Sequence, residues 1–172
     1  MPSVTLSIGL LAPPWAAVPP PTYGGTESVI DQLARGLSAA GHQVTLFATG
    51  DSTAPVPTAY TRDDAAGDQM GRTPVELHHV MHGYEALAGC DIVHDHTLAG
   101  PAWALAGGHD RVVTTCHGPL DGDFRQIYQR YGTRLPVSAI SNAQVARAPD
   151  ITVSTSRMVA DHLALYEDVV CR

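Results

Sequence analysis

The chain of 172 residues is 44% hydrophobic and 16% charged, proportions that suit one globular domain able to bury a core. Its formal net charge is −7 and arginine is its only strongly basic residue type, which argues against nucleic acids and anionic membranes as partners. Three widely spaced cysteines, Cys90, Cys116 and Cys171, form neither a metal knuckle nor a disulfide framework and favour a reducing compartment.

The first elements in chain order are a strand, a loop, a helix and a second strand. Residues 4–11 form an apolar run typical of a buried strand, with no charged leader and no run of membrane-spanning length. We therefore expect a soluble, cytoplasmic protein with no stable membrane association. The proline-rich segment 12–25 predicts a loop. A helix is expected over 26–40, ended by Gly41 in the left-handed region, and a second strand over 43–48.

The rest of the chain continues this alternation after a polar segment, 49–73, that we interpret as loop. Further strands are predicted at 91–94, 111–115, 137–140 and 151–153, and helices at 74–88, 97–106, 122–131 and 157–165. Strands joined through helices imply right-handed crossovers. The pattern therefore predicts an α/β fold with a doubly wound, largely parallel sheet, formed as a single domain over residues 1–172.

Polar and glycine residues follow five of the predicted strands at the point where each strand ends. They are Tyr23-Gly24-Gly25-Thr26, Gly50-Asp51-Ser52, His94-Asp95-His96, Cys116-His117-Gly118 and Ser141-Asn142. Open parallel sheets bind ligands at the carboxyl ends of their strands. We therefore expect these segments to form one polar cleft.

The pair Gly24-Gly25 lies directly before the first predicted helix. Its backbone amides and the positive end of the helix dipole suit a diphosphate, and we expect one of the two glycines to adopt a conformation open mainly to glycine. The alternative is a plain turn between a strand and a helix. Without a G-x-G-x-x-G pattern or an acidic residue ending the second strand, a nicotinamide cofactor is not expected.

Histidines provide the other chemically distinctive feature of the predicted cleft. In strand geometry His94 and His96 share a face and Asp95 points the other way. A third metal ligand would have to come from His117 or Asp51, and the spacing does not demand it, so we predict contacts to a sugar or an acceptor and no metal. His117 can donate to a sugar hydroxyl or a phosphate oxygen, although a histidine at such a position can also be satisfied by internal hydrogen bonds.

Several sequence blocks occur in order and together resemble a known family. They are the segments at 11–15, 18–27, 34–37 and 41–48, followed by Gly50-Asp51-Ser52, DIVHDH at 91–96, TTCHG at 114–118 and ISNAQ at 140–144. These blocks are similar to the N-terminal domain of retaining GT-B glycosyltransferases of family four, over residues 4 to about 150. The resemblance implies a Rossmann-like domain and transfer, with retention, of a sugar from a nucleoside diphosphate sugar to an acceptor hydroxyl.

The resemblance also assigns roles to individual residues. It places Gly24 and Gly25 near the donor diphosphate and His117 against the donor sugar, and it makes Glu27, His94 and His96 acceptor candidates. The predicted catalytic residue is His117, and the predicted substrate-binding residues are Tyr23, Gly24, Gly25, Thr26, Glu27, Asp51, His94, His96, Gly118, Ser141 and Asn142.

The resemblance further implies a reaction that needs no metal and no cofactor beyond the nucleotide-sugar donor. It also implies that the donor is held mainly in a C-terminal domain, which these 172 residues do not contain. We therefore expect the chain to be inactive without that domain. Two alternatives remain open. One is a stand-alone nucleotide- or sugar-binding module without turnover, and the other is a metal-dependent hydrolase built on His94 and His96.

Overall fold

The computed structural model describes residues 5–149, 151, 153–155 and 158–171. The strands are β1 (Ser7–Leu11), β2 (Gln43–Phe47), β3 (Thr58–Ala59), β4 (Ile92–Asp95), β5 (Val112–Cys116), β6 (Val137–Ala139) and β7 (Val153–Thr155). The helices are α1 (Gly25–Ala39), α2 (Thr73–Ala86), α3 (Gly100–Gly107), α4 (Gly122–Gly132), α5 (Asn142–Arg147) and α6 (Met158–Val170), with a 3₁₀ turn at Gly67–Gln69.

The strands form one sheet in the order β3-β2-β1-β4-β5-β6-β7, and every neighbouring pair is parallel. This confirms the predicted Rossmann-like, doubly wound sheet. The chain proceeds from β1 outward to β2 and β3 and then returns to β4 on the other side of β1. A sheet whose strand order reverses in this way opens a crevice at the carboxyl ends of the strands beside the reversal.

The two faces of the sheet are covered by different helices, as the alternation of side chains along β1 shows. Leu10 packs in a core with Leu33 of α1 and Tyr166 of α6. The next residue, Leu11, packs in a second core with Tyr84 of α2. Period-2 alternation on a strand thus gives each face its own apolar layer, and helix α6 lies beside α1.

The structure differs from the prediction at three short elements. The segment 49–73 contains strand β3, whose two residues pair with β2 and are too few to show a period. Helix α5 was not predicted, and its six residues begin after the Ser141 cap. The last strand was predicted two residues too early, although Thr152 lies outside the described residues.

The structure confirms that Gly41 ends α1 in the left-handed region, with φ +92°. The last helix extends to Val170, five residues beyond its predicted end. The predicted starts of the first strand and of the last helix, Val4 and Arg157, lie outside the described residues.

Candidate functional site

The carboxyl ends of five neighbouring strands bring the predicted segments to one edge of the sheet, which we call the carboxyl rim. In the order β2, β1, β4, β5, β6, the residues that follow each strand include Asp51, Gly24, His96, His117 and Ser141. Neighbouring strands lie about 4.8 Å apart, so the rim from β1 to β5 spans roughly 10 Å. That distance suits a sugar with an attached phosphate, and the predicted clustering of these segments is confirmed.

The Gly24-Gly25 segment begins helix α1 at this rim. Gly24 is the N-cap with φ −177° and no side-chain cap hydrogen bond, and the first helical bond runs from the Ser28 amide to the Gly24 carbonyl. The amides of Gly25 and Thr26 therefore have no partner within the helix. Neither glycine has positive φ. The expectation of a conformation open mainly to glycine is wrong, because Gly24 is extended and Gly25 is already helical.

The two glycines instead differ in the space around them. A Cβ on Gly24 would lie 2.6 Å from the Pro20 Cβ and 2.8 Å from a carboxylate oxygen of Glu27. A Cβ on Gly25 would meet nothing within 4 Å. Packing therefore requires a glycine at Gly24, whereas at Gly25 the absent side chain leaves open space above the helix N-terminus.

Glu27 lies in the first turn of the same helix and is only 6% exposed. Burial raises the pKa of its carboxyl group, and the hydrogen bond to its own backbone N–H partly lowers it again. A buried carboxyl group thus lies beside Gly24 at this helix terminus.

His94 lies on β4 and is completely buried. Its Nδ1 is within hydrogen-bond distance, 2.5 Å, of the Tyr166 hydroxyl, and its Nε2 is 2.7 Å from the hydroxyl of Thr115. Burial lowers its pKa well below the usual value, and so do the neighbouring His162 and His117. Both ring nitrogens are engaged inside the protein, so this geometry weighs against direct contact of His94 with an acceptor.

His96 and His117 are joined directly at the rim. The Nδ1 of His96 lies 2.8 Å from the Nε2 of His117, and the two ring centroids are 5.1 Å apart. The ring of His96 also stacks on His94, with centroids 4.1 Å apart. This stacking confirms that His94 and His96 share one face of β4.

Burial keeps this pair of histidines uncharged at neutral pH. Desolvation, followed by the charge of His162, lowers the pKa of His117 to about 4. Desolvation also lowers the pKa of His96 well below its usual value, with smaller contributions from the neighbouring histidines. Neutral His117 therefore has one N–H donor and one lone pair, and the hydrogen bond to His96 uses one of them.

Helix α6 contributes a fourth histidine that the sequence interpretation missed. The His162 ring lies 4.9 Å from that of His94, and Tyr166 lies one turn further along the same helix. The i,i+4 spacing of His162 and Tyr166 was the available signal, since it places both side chains on one face of a helix. Helix α6, which covers the same face of the sheet as α1, thereby packs against His94.

Gln144, also absent from the predicted site, fixes the loops after β5 and β6. Its amide nitrogen donates to the carbonyls of Cys116 and Gly118 at 3.0 and 2.7 Å. Its amide oxygen accepts from the Ile140 N–H at 2.9 Å. These loops line a cavity of about 280 Å³ whose wall includes His117, Gly118, Ser141 and Gln144. Gln144 thus positions the backbone on both sides of His117.

Ser141 and Asn142, both predicted to bind substrate, lie exposed at the start of α5. The Ser141 hydroxyl accepts from the Gln144 N–H at 3.1 Å and caps the helix. Its hydroxyl therefore already has a structural role, whereas the side chain of Asn142 is exposed.

Asp51 and Tyr23 occupy the more open part of the rim. The Asp51 carboxylate accepts from the Thr49 hydroxyl at 2.5 Å and from the Ala65 N–H at 3.2 Å, and so holds the loop after β2 together. Tyr23 is 95% exposed next to Gly24, so its ring can stack on a ligand.

Asp95 points away from the histidines, as predicted. It accepts hydrogen bonds from the Tyr84 hydroxyl and from both the N–H and the hydroxyl of Thr97, each at 2.7 Å. Burial raises its pKa to about 6 even though these donors lower it. Glu76 supports the same loop by accepting from the amides of Leu98 and Ala99. Both carboxylates are thus committed to structure.

Two general features of the described residues bear on the alternative functions. No group of three or more histidine, cysteine, aspartate or glutamate side chains among them is arranged to hold a metal ion. None of the helices in the part of the chain that the structure describes is both long and apolar enough to cross a membrane.

A second cavity, of about 820 Å³, lies away from the rim between α3 and α4, and we call it the α3/α4 groove. Its wall includes Ala102, Leu105, Ile127, Arg130 and Arg134. None of the predicted site residues lines it.

Comparison with known proteins gives a family and a fold. The family model described as Glycosyltransferase Family 4 matches residues 23–169. The chain is similar to the crystal structure of AviGT4, described as a glycosyltransferase involved in avilamycin A biosynthesis, with 24% identity and a TM-score of 0.52. The match covers 84% of this chain and 39% of AviGT4, and it shows a shared fold. No curated protein matches the chain.

Proposed function

The chain belongs to glycosyltransferase family 4, and from this membership we propose that it forms the N-terminal, mainly acceptor-side half of a glycosyl-transfer site. The sugar comes from a nucleoside diphosphate sugar and goes to an acceptor hydroxyl with retained configuration. The nucleotide is held mainly by a C-terminal domain that faces the carboxyl rim, and the reaction takes place in the cytoplasm without a metal or a further cofactor.

The donor diphosphate lies at the N-terminus of α1. The uncapped amides of Gly25 and Thr26 supply two donors, and the helix terminus adds roughly half a positive charge. The open space beside Gly25 admits a phosphate group against the backbone. As the glycosidic bond breaks, negative charge grows on the diphosphate, and these fixed donors stabilise it.

The donor sugar lies between this helix terminus and the cavity beside His117. The Nε2 of His117 is occupied by His96, which leaves Nδ1 for a sugar hydroxyl. Because the pKa of His117 is about 4, the side chain stays neutral and orients the sugar through a hydrogen bond. His117 therefore contacts the sugar without acting as a nucleophile.

The acceptor approaches the same rim from the side of β1 and β4. Exposed Tyr23 supplies a ring for stacking, whereas Glu27 and His96 are buried beneath the rim. His94 contributes through its contact with His96, since it has no access to the rim of its own.

Asp51 and Asp95 do not form a glycosidase pair at the rim. Glycosidases need two carboxyl groups on opposite sides of the scissile bond. Asp95 is fully buried and accepts three hydrogen bonds, and Asp51 holds its own loop together. Both are therefore unsuited to attack a sugar, which favours transfer over hydrolysis.

The observation that carries this proposal is the placement of the α1 terminus and the His96–His117 pair at one rim of a family 4 domain. The test compares sugar transfer by the 172-residue chain alone with transfer by the same chain joined to a family 4 C-terminal domain. We expect at most trace turnover from the chain alone and clear turnover from the joined protein. Robust metal-free turnover by the chain alone would contradict the divided site.

A further inference from the structure

The hydrogen bond between His96 and His117 can be made in two ways. Either the His96 Nδ1–H donates to the Nε2 of His117, or the His117 Nε2–H donates to the Nδ1 of His96. A neutral imidazole carries one proton, so each arrangement fixes the tautomer of both rings. In the first, His117 carries its proton on Nδ1. In the second, its Nδ1 is a bare lone pair.

The other nitrogen of His96 distinguishes these arrangements. His96 Nε2 is buried and has no hydrogen-bond partner among the described residues. In the second arrangement this nitrogen would carry a proton, leaving a buried N–H donor unpaired. In the first it is an unprotonated acceptor. Among backbone groups, orphaned buried N–H donors are rarer than under-satisfied acceptors, and the same asymmetry applied to the imidazole nitrogens favours the first arrangement.

The position of the His96 ring is fixed by its neighbours. Its ring lies 4.1 Å from that of His94, which is itself held between the hydroxyls of Tyr166 and Thr115. Because β4, β5 and α6 all contribute to this arrangement, the His96 Nδ1 stays directed at His117.

We propose that His96 is a positioning residue that holds His117 in the Nδ1–H tautomer, so that His117 meets its ligand as a hydrogen-bond donor. The ligand group beside it must then accept, as a hydroxyl or carboxylate oxygen of a sugar does. The identity of that ligand rests on the proposed function, whereas the tautomer does not. Free histidine prefers the Nε2–H tautomer, so the proposal reverses the ordinary preference.

The test is a long-range ¹⁵N–¹H correlation spectrum of the ¹⁵N-labelled 172-residue chain at pH 7.5, which distinguishes the two tautomers of each histidine. We expect His117 as Nδ1–H. A His117 signal of the Nε2–H type in the unmodified chain would overturn the proposal without any variant being needed.

A pair of variants tests whether His96 is the cause. His96→Phe keeps a planar ring at the position but removes the hydrogen bond, and we expect His117 to return largely to Nε2–H. His79→Phe is the matched control, because His79 is also a buried neutral histidine but bonds the Ala12 carbonyl instead. It should leave the His117 tautomer unchanged.

Two outcomes of this pair contradict the role of His96. The first is an unchanged tautomer in a folded His96→Phe chain, and the second is an equal change in both variants. The spectra need no donor, so failure of the tautomer proposal leaves the transfer proposal standing. Absence of sugar transfer likewise leaves the tautomer result intact.

Discussion

The two sides of the carboxyl rim differ in how many of their polar groups already have hydrogen-bond partners inside the protein. On the glycine side, formed by Gly24, Gly25 and the Asp51 loop, the amides of Gly25 and Thr26 have no partner within the helix, and open space lies beside Gly25. On the histidine side, formed around His94, His96, His117 and Gln144, most polar side-chain atoms make internal hydrogen bonds. One side can therefore take up a charged group, whereas the other can only present a fixed, neutral surface.

We expect a large loss of stability in acid, which arises from the buried histidines of the histidine side and from His79. The pKa values of His79 and His117 are about 4 in the folded chain, below the value of about 6.5 expected when unfolded. Below pH 6.5 the unfolded chain takes up protons that the folded chain does not. The stabilisation is therefore complete above pH 6.5 and is lost as the pH falls towards 4.

Buried carboxyls oppose this effect only in part. The pKa of Asp95 is raised to about 6, so its proton stabilises the fold as the pH falls. We expect the free energy of unfolding in urea to fall by about 3 kcal/mol between pH 7.5 and pH 5. His79→Phe should flatten this dependence, and an equal stability at both pH values would show that the histidines are not buried as described.

The second prediction concerns Gln144, which joins the two loops of the histidine side. Gln144→Leu removes hydrogen bonds to three backbone groups, the carbonyls of Cys116 and Gly118 and the N–H of Ile140. Buried groups left without partners should cost about 2 kcal/mol of unfolding free energy, measured by urea titration. The matched control Asn142→Ala, at an exposed neighbouring position, should cost far less. Equal losses would mean that Gln144 does not fix these loops.

The third and smallest effect separates the two glycines. Gly24→Ala forces a Cβ against Pro20 and Glu27 and should cost about 1 kcal/mol of stability. Gly25→Ala meets nothing and should leave stability unchanged or slightly higher, because alanine favours the helical conformation. Thermal unfolding of the two variants measures the difference in stability. A larger loss of stability in Gly25→Ala than in Gly24→Ala would contradict the close packing around Gly24.

The sequence was sufficient to predict the architecture of the sheet because strand and helix periods differ and the crossovers have one hand. It also placed Gly24, His96 and His117 at one rim, since parallel strands end together. The short elements β3 and α5 were missed because segments of two and six residues are too short to show the hydrophobic periodicity of a strand or a helix.

The internal hydrogen-bond and packing partners of the site residues could not be predicted from the sequence, for a different reason. The contact of His94 with Tyr166 joins residues 72 positions apart, and no local pattern encodes such a pairing. The need for glycine at Gly24 likewise arises from Pro20 and Glu27, whose side chains meet it only in the folded chain. Local sequence thus predicted which segments meet at the rim, and tertiary packing decided which of their polar groups have internal partners.

The most direct test of the account is whether the rim binds a nucleoside diphosphate sugar. The Gly25→Val variant serves as the control that should lose this binding. Two-dimensional ¹H–¹⁵N spectra of the chain would be recorded with millimolar uridine, guanosine and adenosine diphosphate sugars. With at least one of them, resonances of Gly25, Thr26, His117 and Gly118 should shift. In Gly25→Val these shifts should disappear, because the branched side chain fills the space for the phosphate. The remaining resonances should keep the dispersion of a folded chain. Shifts confined to the α3/α4 groove, or undiminished binding by Gly25→Val, would contradict the account.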